Sequence, residues 1–122
     1  MTYTILKEIG VRKMADNQDY IKYLTNLKNR IFKILPLCEE KNTEVVKHIE
    51  STIFEVRGLF SVIPSAKSSI WNIRTLSVLS NMAENYSVTQ LHDEEIYRTV
   101  VRREVFNLLN VIDKEIEQLW VT

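Results

Sequence analysis

The side chains able to do nucleophilic, acid–base or metal chemistry are few in this chain: one cysteine, Cys38, and two histidines, His48 and His92, among plentiful carboxylates. A thiol nucleophile needs a base beside it. Cys38 has no histidine near it in sequence, although folding could bring His92 closer, and it falls on an apolar helical row where a small buried hydrophobe is the ordinary occupant. A metal centre needs His, Cys or carboxylates clustered at defined spacing. Glu44 and His48 stand at i and i+4 and can touch on a helix, but no second such pair follows, and the Glu-x-x-His pattern of helical di-iron bundles is absent. His92, beside Asp93 at an expected helix start, reads as a loop residue. There is no G-x-S-x-G, and two glycines cannot build a phosphate-cradling loop. The carboxylates lie mostly on polar helix faces or at helix starts. This inventory argues against an enzyme and calls for no metal and no cofactor.

What remains is architecture. Tyr20, Leu24, Leu27, Ile31, Ile34 and Cys38 recur at alternating spacings of four and three, as do Val46, Ile49, Ile53, Val56, Phe60 and Ile63. That spacing draws a narrow apolar stripe along one side of an α-helix. The first helix is expected from about Asn17 to Leu37, capped by Asp16 or Asn17 and kinked or ended at Pro36, whose ring crowds the carbonyl of Phe32. The second is expected from Thr43 to Ile63, with Asn42 or Thr43 as cap and Pro64 beyond it. Gly58 inside it either admits a close neighbour or ends the helix; the continuing spacing at Phe60 and Ile63 favours the first. The third is expected over Ala66–Tyr86 with Ser65 as cap. It carries few charges and a broad apolar surface, so it is either the most buried helix or part of an interface. The last is expected over Asp93–Leu119, with Tyr97, Val101, Val105, Leu108, Ile112, Ile116 and Leu119 inward and a Glu94–Arg98 pair in the favourable order. Reaching roughly 40 Å at 1.5 Å per residue, it is expected to be the longest.

Short connections between such helices predict an all-α fold, an antiparallel up-down four-helix bundle over residues 17–122 with a short N-terminal arm over residues 1–16. At 122 residues a single domain with a sizeable core is expected. Two Gly and two Pro disfavour a turn-rich β-fold. Sixteen basic and sixteen acidic residues leave no net charge to draw nucleic acid or anionic lipid to the whole molecule. A lone cysteine, no signal-peptide pattern and no membrane-spanning run make a cytoplasmic location the expectation. Abundant Ile, Lys and Asn suggest an AT-rich bacterial or phage genome.

Contact surfaces are therefore the candidate working parts. Trp71 lies off the Leu76–Leu79 side of its helix, so it either packs in the core against the first or last helix or, with Arg74 and Val78, forms an exposed anchor strip for a protein partner. Lys22, Asn26, Asn29, Arg30 and Lys33 share one basic face of the first helix, able to meet phosphates or an acidic protein surface. The expected function is a small non-enzymatic protein working through protein–protein contacts, as an adaptor, inhibitor or homodimer, with no membrane partner. The alternative is a DNA-binding regulator using that basic face or residues 65–74. There Lys67, Ser68, Ser69, Asn72 and Arg74 would read DNA from a helix-turn-helix with Ile70 buried.

Overall fold

A computed structural model describes residues 6–59, 66 and 69–121, and among these the regular structure is all helical, with no strand. The first helix, α1, spans Leu6–Phe32. It begins before the expected Asn17 and runs through Gly10, so residues 6–16 are helical. The row Tyr20, Leu24, Leu27, Ile31 is buried, as the spacing requires.

Pro36 acts as expected, with a twist in position. It has no amide hydrogen for the Phe32 carbonyl, and the chain breaks one turn upstream, at Lys33. A new helix, α2, then runs Ile34–Glu39 with Pro36 in its first turn, where a missing N–H leaves nothing unpaired. The break is short, because Lys33 N donates to Asn29 O (3.1 Å) and Leu37 N to Lys33 O (3.2 Å). Ile34, Leu35 and Cys38 therefore stay in the core.

The C-terminus of α2 closes through a Schellman arrangement: Asn42 N donates to Leu37 O at 2.9 Å and Lys41 N to Cys38 O at 3.1 Å. Its left-handed position is occupied by Lys41, at φ 54°. Glycine usually takes that place, and a side chain there costs on the order of 1 kcal/mol. Asn42 Oδ1 then accepts from Glu44 N at 2.8 Å, turning the chain into α3, Val45–Gly58. Val45, not Val46, joins Ile49, Ile53 and Val56 in the core.

The expected extension of this helix to Ile63 is corrected at Gly58, its last residue. Among the described residues nothing lies within 4 Å of the place a Cβ would take there, so the glycine is not explained by a closely packed helix among them. Its φ is not positive, so alanine fits the backbone. Gly58→Ala is expected to stabilise the fold by about 0.5–1 kcal/mol, read as a higher denaturation midpoint at unchanged slope. Phe60, Ile63, Pro64 and the Ser65 cap fall outside the described residues.

Helix α4 spans Ile70–Asn85 with Ser69 at its N-cap position. A short helix α5, Val88–Leu91, follows, fixed by a capping box: Gln90 N donates to Ser87 Oγ and Ser87 N to Gln90 Oε1. The expected last helix is present as α6 (Glu94–Ile96), a π-helical turn (Tyr97–Val101) and α7 (Arg102–Val121) in unbroken succession. Asp93 caps it, accepting from Glu95 N and Ile96 N. In the π turn Arg102 N donates to Tyr97 O, five residues back, so one residue more than usual is taken up. Spanning 94–121, this succession is matched in length by α1, so it is not alone in being long.

Helix α1 packs on α3 and α7, α3 on α4, and α4 on α7, while α2 touches α1, α3 and α7. Salt links follow the same contacts. Lys28 pairs with Asp113, tying α1 to α7. Arg30 Nη2 donates to Ser51 Oγ (2.7 Å) and its Nε lies 3.5 Å from Glu55, tying α1 to α3.

Candidate functional site

The expected anchor strip is rearranged. Trp71 is 1% exposed, and its indole Nε1 donates to Tyr20 Oη at 2.7 Å. It is a core residue, on a buried row with Thr75, Leu79 and Met82. The inward row starts at Trp71 and accepts the polar Thr75 and Asn72, so it does not stand out as a purely apolar row in the sequence. Val78 is half-buried against this core, and only Arg74 of the strip is exposed. The residues turned outward instead are Ile70 (71% exposed) and Ile73 (57% exposed).

The same inward row undoes the residue assignments of the helix-turn-helix reading. Ile70, required inside, is outside, and Asn72, required at the DNA, is buried. Lys67 and Ser68 lie outside the described residues. Lys22, Asn26 and Asn29 on α1 and Lys33 at its break are exposed, whereas Arg30 is drawn off toward Ser51 and Glu55.

Two grooves flank α4. One, about 360 Å³, is lined by Ile70 and Arg74 on α4 and by Val111 and Gln118 on α7. The other, about 280 Å³, is lined by Phe54 and Arg57 on α3 and by Ala83 on α4. Phe54 is itself 79% exposed. Helix α4 thus has apolar residues on its outward side as well as its inward side.

A larger cleft, about 590 Å³, opens where α2 and its closing turn meet the segment from His92 to Arg102. Cys38, Glu39 and Lys41 line one wall; His92, Asp93, Glu94, Tyr97, Arg98 and Arg102 line the other. The π turn sets the second wall. Stepping back from Ile112 through Leu108, Val105 and Val101 at alternating four and three, an uninterrupted helix would next turn residue 98 inward. The extra residue lets Tyr97 take that place, half-buried, and leaves Arg98 exposed. No Glu94–Arg98 ion pair forms among the described residues, since the widened turn falls between them. Tyr97 Oη donates to the Glu39 carboxylate across the cleft. His92 Nε2 donates to Asn42 O (2.8 Å), the carbonyl fixing which ring nitrogen carries the hydrogen.

Folding therefore brings Cys38 and His92 to one cleft, as catalysis would need, but not with a reactive thiol. Burial, helped by Glu39, pushes the Cys38 thiol up to about 11. It is protonated at neutral pH and a poor nucleophile. His48 instead sits at α3, its Nε2 donating to Arg30 O at 2.7 Å. No three His, Cys, Asp or Glu side chains gather as a metal-ligand set among the described residues.

These shifts fix an alkaline limit. Burial also raises Tyr23 to about 12, and burial with the Glu39 bond raises Tyr97 to about 12, from an ordinary 10.0. Each group is neutral when protonated, so the unfolded chain loses these protons first. Above the ordinary values the unfolded state binds fewer protons than the native one, and stability must fall with rising pH. Denaturant midpoints are expected to fall progressively once pH passes about 9, continuing toward about 12. A flat profile across that window would contradict the assignment.

Among the described residues the molecule is thus all helical, with a mixed-charge cleft at the α2 turn and an outward apolar strip on α4. No protein-family model, no curated protein and no solved structure matches this chain. No helix among the described residues is long and apolar enough to cross a membrane.

Proposed function

We propose that this is a cytoplasmic, non-enzymatic helical protein that works by binding another protein through the outer side of α4. The observation carrying the reading is the pair Ile70 and Ile73, outward on a helix whose other side is already committed to the core. Isolated exposed apolar residues are ordinary. Two on one turn, beside Arg74 and between two grooves, make a compact anchor of the kind interface hot spots use. The partner chemistry that fits is an apolar ridge with a carboxylate for Arg74. The proposed frame is an antiparallel up-down four-helix bundle of α1, α3, α4 and the 94–121 helix. Tyr23 bonds to Glu55 and Arg30 to Ser51, so rising numbers on α1 meet falling numbers on α3, which supports that direction.

The test is affinity capture from host extract with wild type and with Ile70→Glu/Ile73→Glu, alongside light scattering of both. Both positions are exposed, so the variant should keep its helical circular dichroism. A partner, or a second copy, held by wild type and lost by the variant is the expected result. Identical capture by both proteins, or a wild type that stays monomeric and captures nothing, would defeat the proposal. A second reading has one observation in its favour, the exposed group Lys22, Asn26, Asn29 and Lys33. DNA retention that falls steeply with salt and drops in Lys22→Ala/Lys33→Ala would put nucleic acid in the partner's place.

A further inference from the structure

The cleft between α2 and the π turn lies apart from the α4 strip and has a chemistry of its own. Three cations line it: Lys41 on one wall, Arg98 and Arg102 on the other. Among the described residues the side chains of Lys41 and Arg98 form no hydrogen bond or ion pair, and Arg102 lies over the ring of Phe106, 5.9 Å away, with its charge also acting on the Tyr97 hydroxyl. The carboxylates are engaged differently. Glu39 receives the Tyr97 hydroxyl, and Asp93 receives two backbone amides. These bonds hold the two carboxylates to the protein's own donors, while Lys41 and Arg98 have no such partner among the described residues. Glu94 is the one carboxylate of the cleft without such a partner.

Two backbone irregularities produce this arrangement, and they face each other. The left-handed Lys41 sits on one wall, and the π turn that releases Arg98 forms the other. A non-glycine residue at positive φ and a π turn each cost stability, and both recur at functional sites.

We infer that this cleft binds the oxyanion group of a small molecule, a phosphate or a carboxylate, between Lys41 and the Arg98–Arg102 pair. The guanidinium forks suit two-point contact with a tetrahedral or planar oxyanion. The volume, about 590 Å³, is in the range of small-molecule sites, so the oxyanion is one end of a larger ligand.

The experiment titrates isotopically labelled whole protein with pyrophosphate and with citrate, at constant ionic strength, following backbone amide resonances. Saturable shifts confined to Lys41 and the His92–Arg102 segment are expected; the tighter of the two anions identifies phosphate or carboxylate as the group preferred. Arg98→Gln/Arg102→Gln should weaken that binding about tenfold or more. Lys41→Gly separates binding from folding, since it relieves the left-handed strain and removes a cation: thermal stability should rise while affinity falls. Glu94→Gln should tighten binding. Ile70→Glu/Ile73→Glu should leave it unchanged, so either idea can fail alone. Shifts scattered over Lys22, Lys33 and Arg74, or equal affinity in the double arginine variant, would overturn the assignment.

Discussion

Trp71→Ala is expected to destabilise the protein by about 3–5 kcal/mol, the largest effect of any single truncation. The indole is 1% exposed and joins α4 to α1 through Tyr20, with ring centroids 6.3 Å apart and tilted by 58°. Truncation leaves a large cavity and removes the indole donor to the Tyr20 hydroxyl, whose burial already raises its pKa. Against a total stability of about 5–15 kcal/mol, such a loss lowers the melting temperature by on the order of 10–20 °C. Trp71→Phe keeps most of the ring and drops the hydrogen bond, so about 1–2 kcal/mol is the expected loss. Emission provides a second readout. Trp120 is 67% exposed, so Trp120→Phe should leave the blue-shifted fluorescence of a buried indole. A Trp71→Ala variant within 1 kcal/mol of wild type would show that the α1–α4 contact has been misassigned.

Leu91→Ala is the second. Helix α5 is four residues long and cannot hold itself together by its own hydrogen bonds. Its capping box and the fully buried Leu91 seat it on the core. A loss of about 2–5 kcal/mol is expected, toward the lower figure if the segment collapses into the gap. The distinctive consequence is local. His92 and Asp93 follow directly, and both the His92–Asn42 bond and the Asp93 cap depend on where Leu91 sits. Hydrogen exchange should therefore quicken at Val88–Ile96 more than in α1 or α3. Uniform acceleration throughout the chain would argue that α5 has no separate seat.

Much of the helical plan is legible in residue spacing. The row from Tyr20 to Cys38 is buried over its whole length, across a break that Pro36 announces. The inward row of the last helix is equally direct from Val101 to Ile112. Failures arise where a polar residue occupies a core position or an apolar one faces out. Thr75 and Asn72 inside, with Ile70 and Ile73 outside, reverse the hydrophobic signal of α4 and leave the place of Trp71 undecided by spacing alone. Helix α5 had a signal in Ser87 and Gln90, a capping-box pair lying in what reads as a connection. The cleft had almost none. Lys41 stands among residues that read as a bare link, and its approach to Arg98 and Arg102 depends on a tertiary contact no local pattern encodes.

The π turn bears on how this chain tolerates changes of length. Its surplus residue is taken up before Val101, so the contacts from Val105 onward, and the Lys28–Asp113 link between α1 and α7, keep their register whether or not that residue is present. Loss of the exposed Thr99 would restore ordinary helical winding with Tyr97 still inward, three positions before Val101 instead of four. A deletion that would scramble a packed helix elsewhere is absorbed at this point, with the cleft wall redrawn.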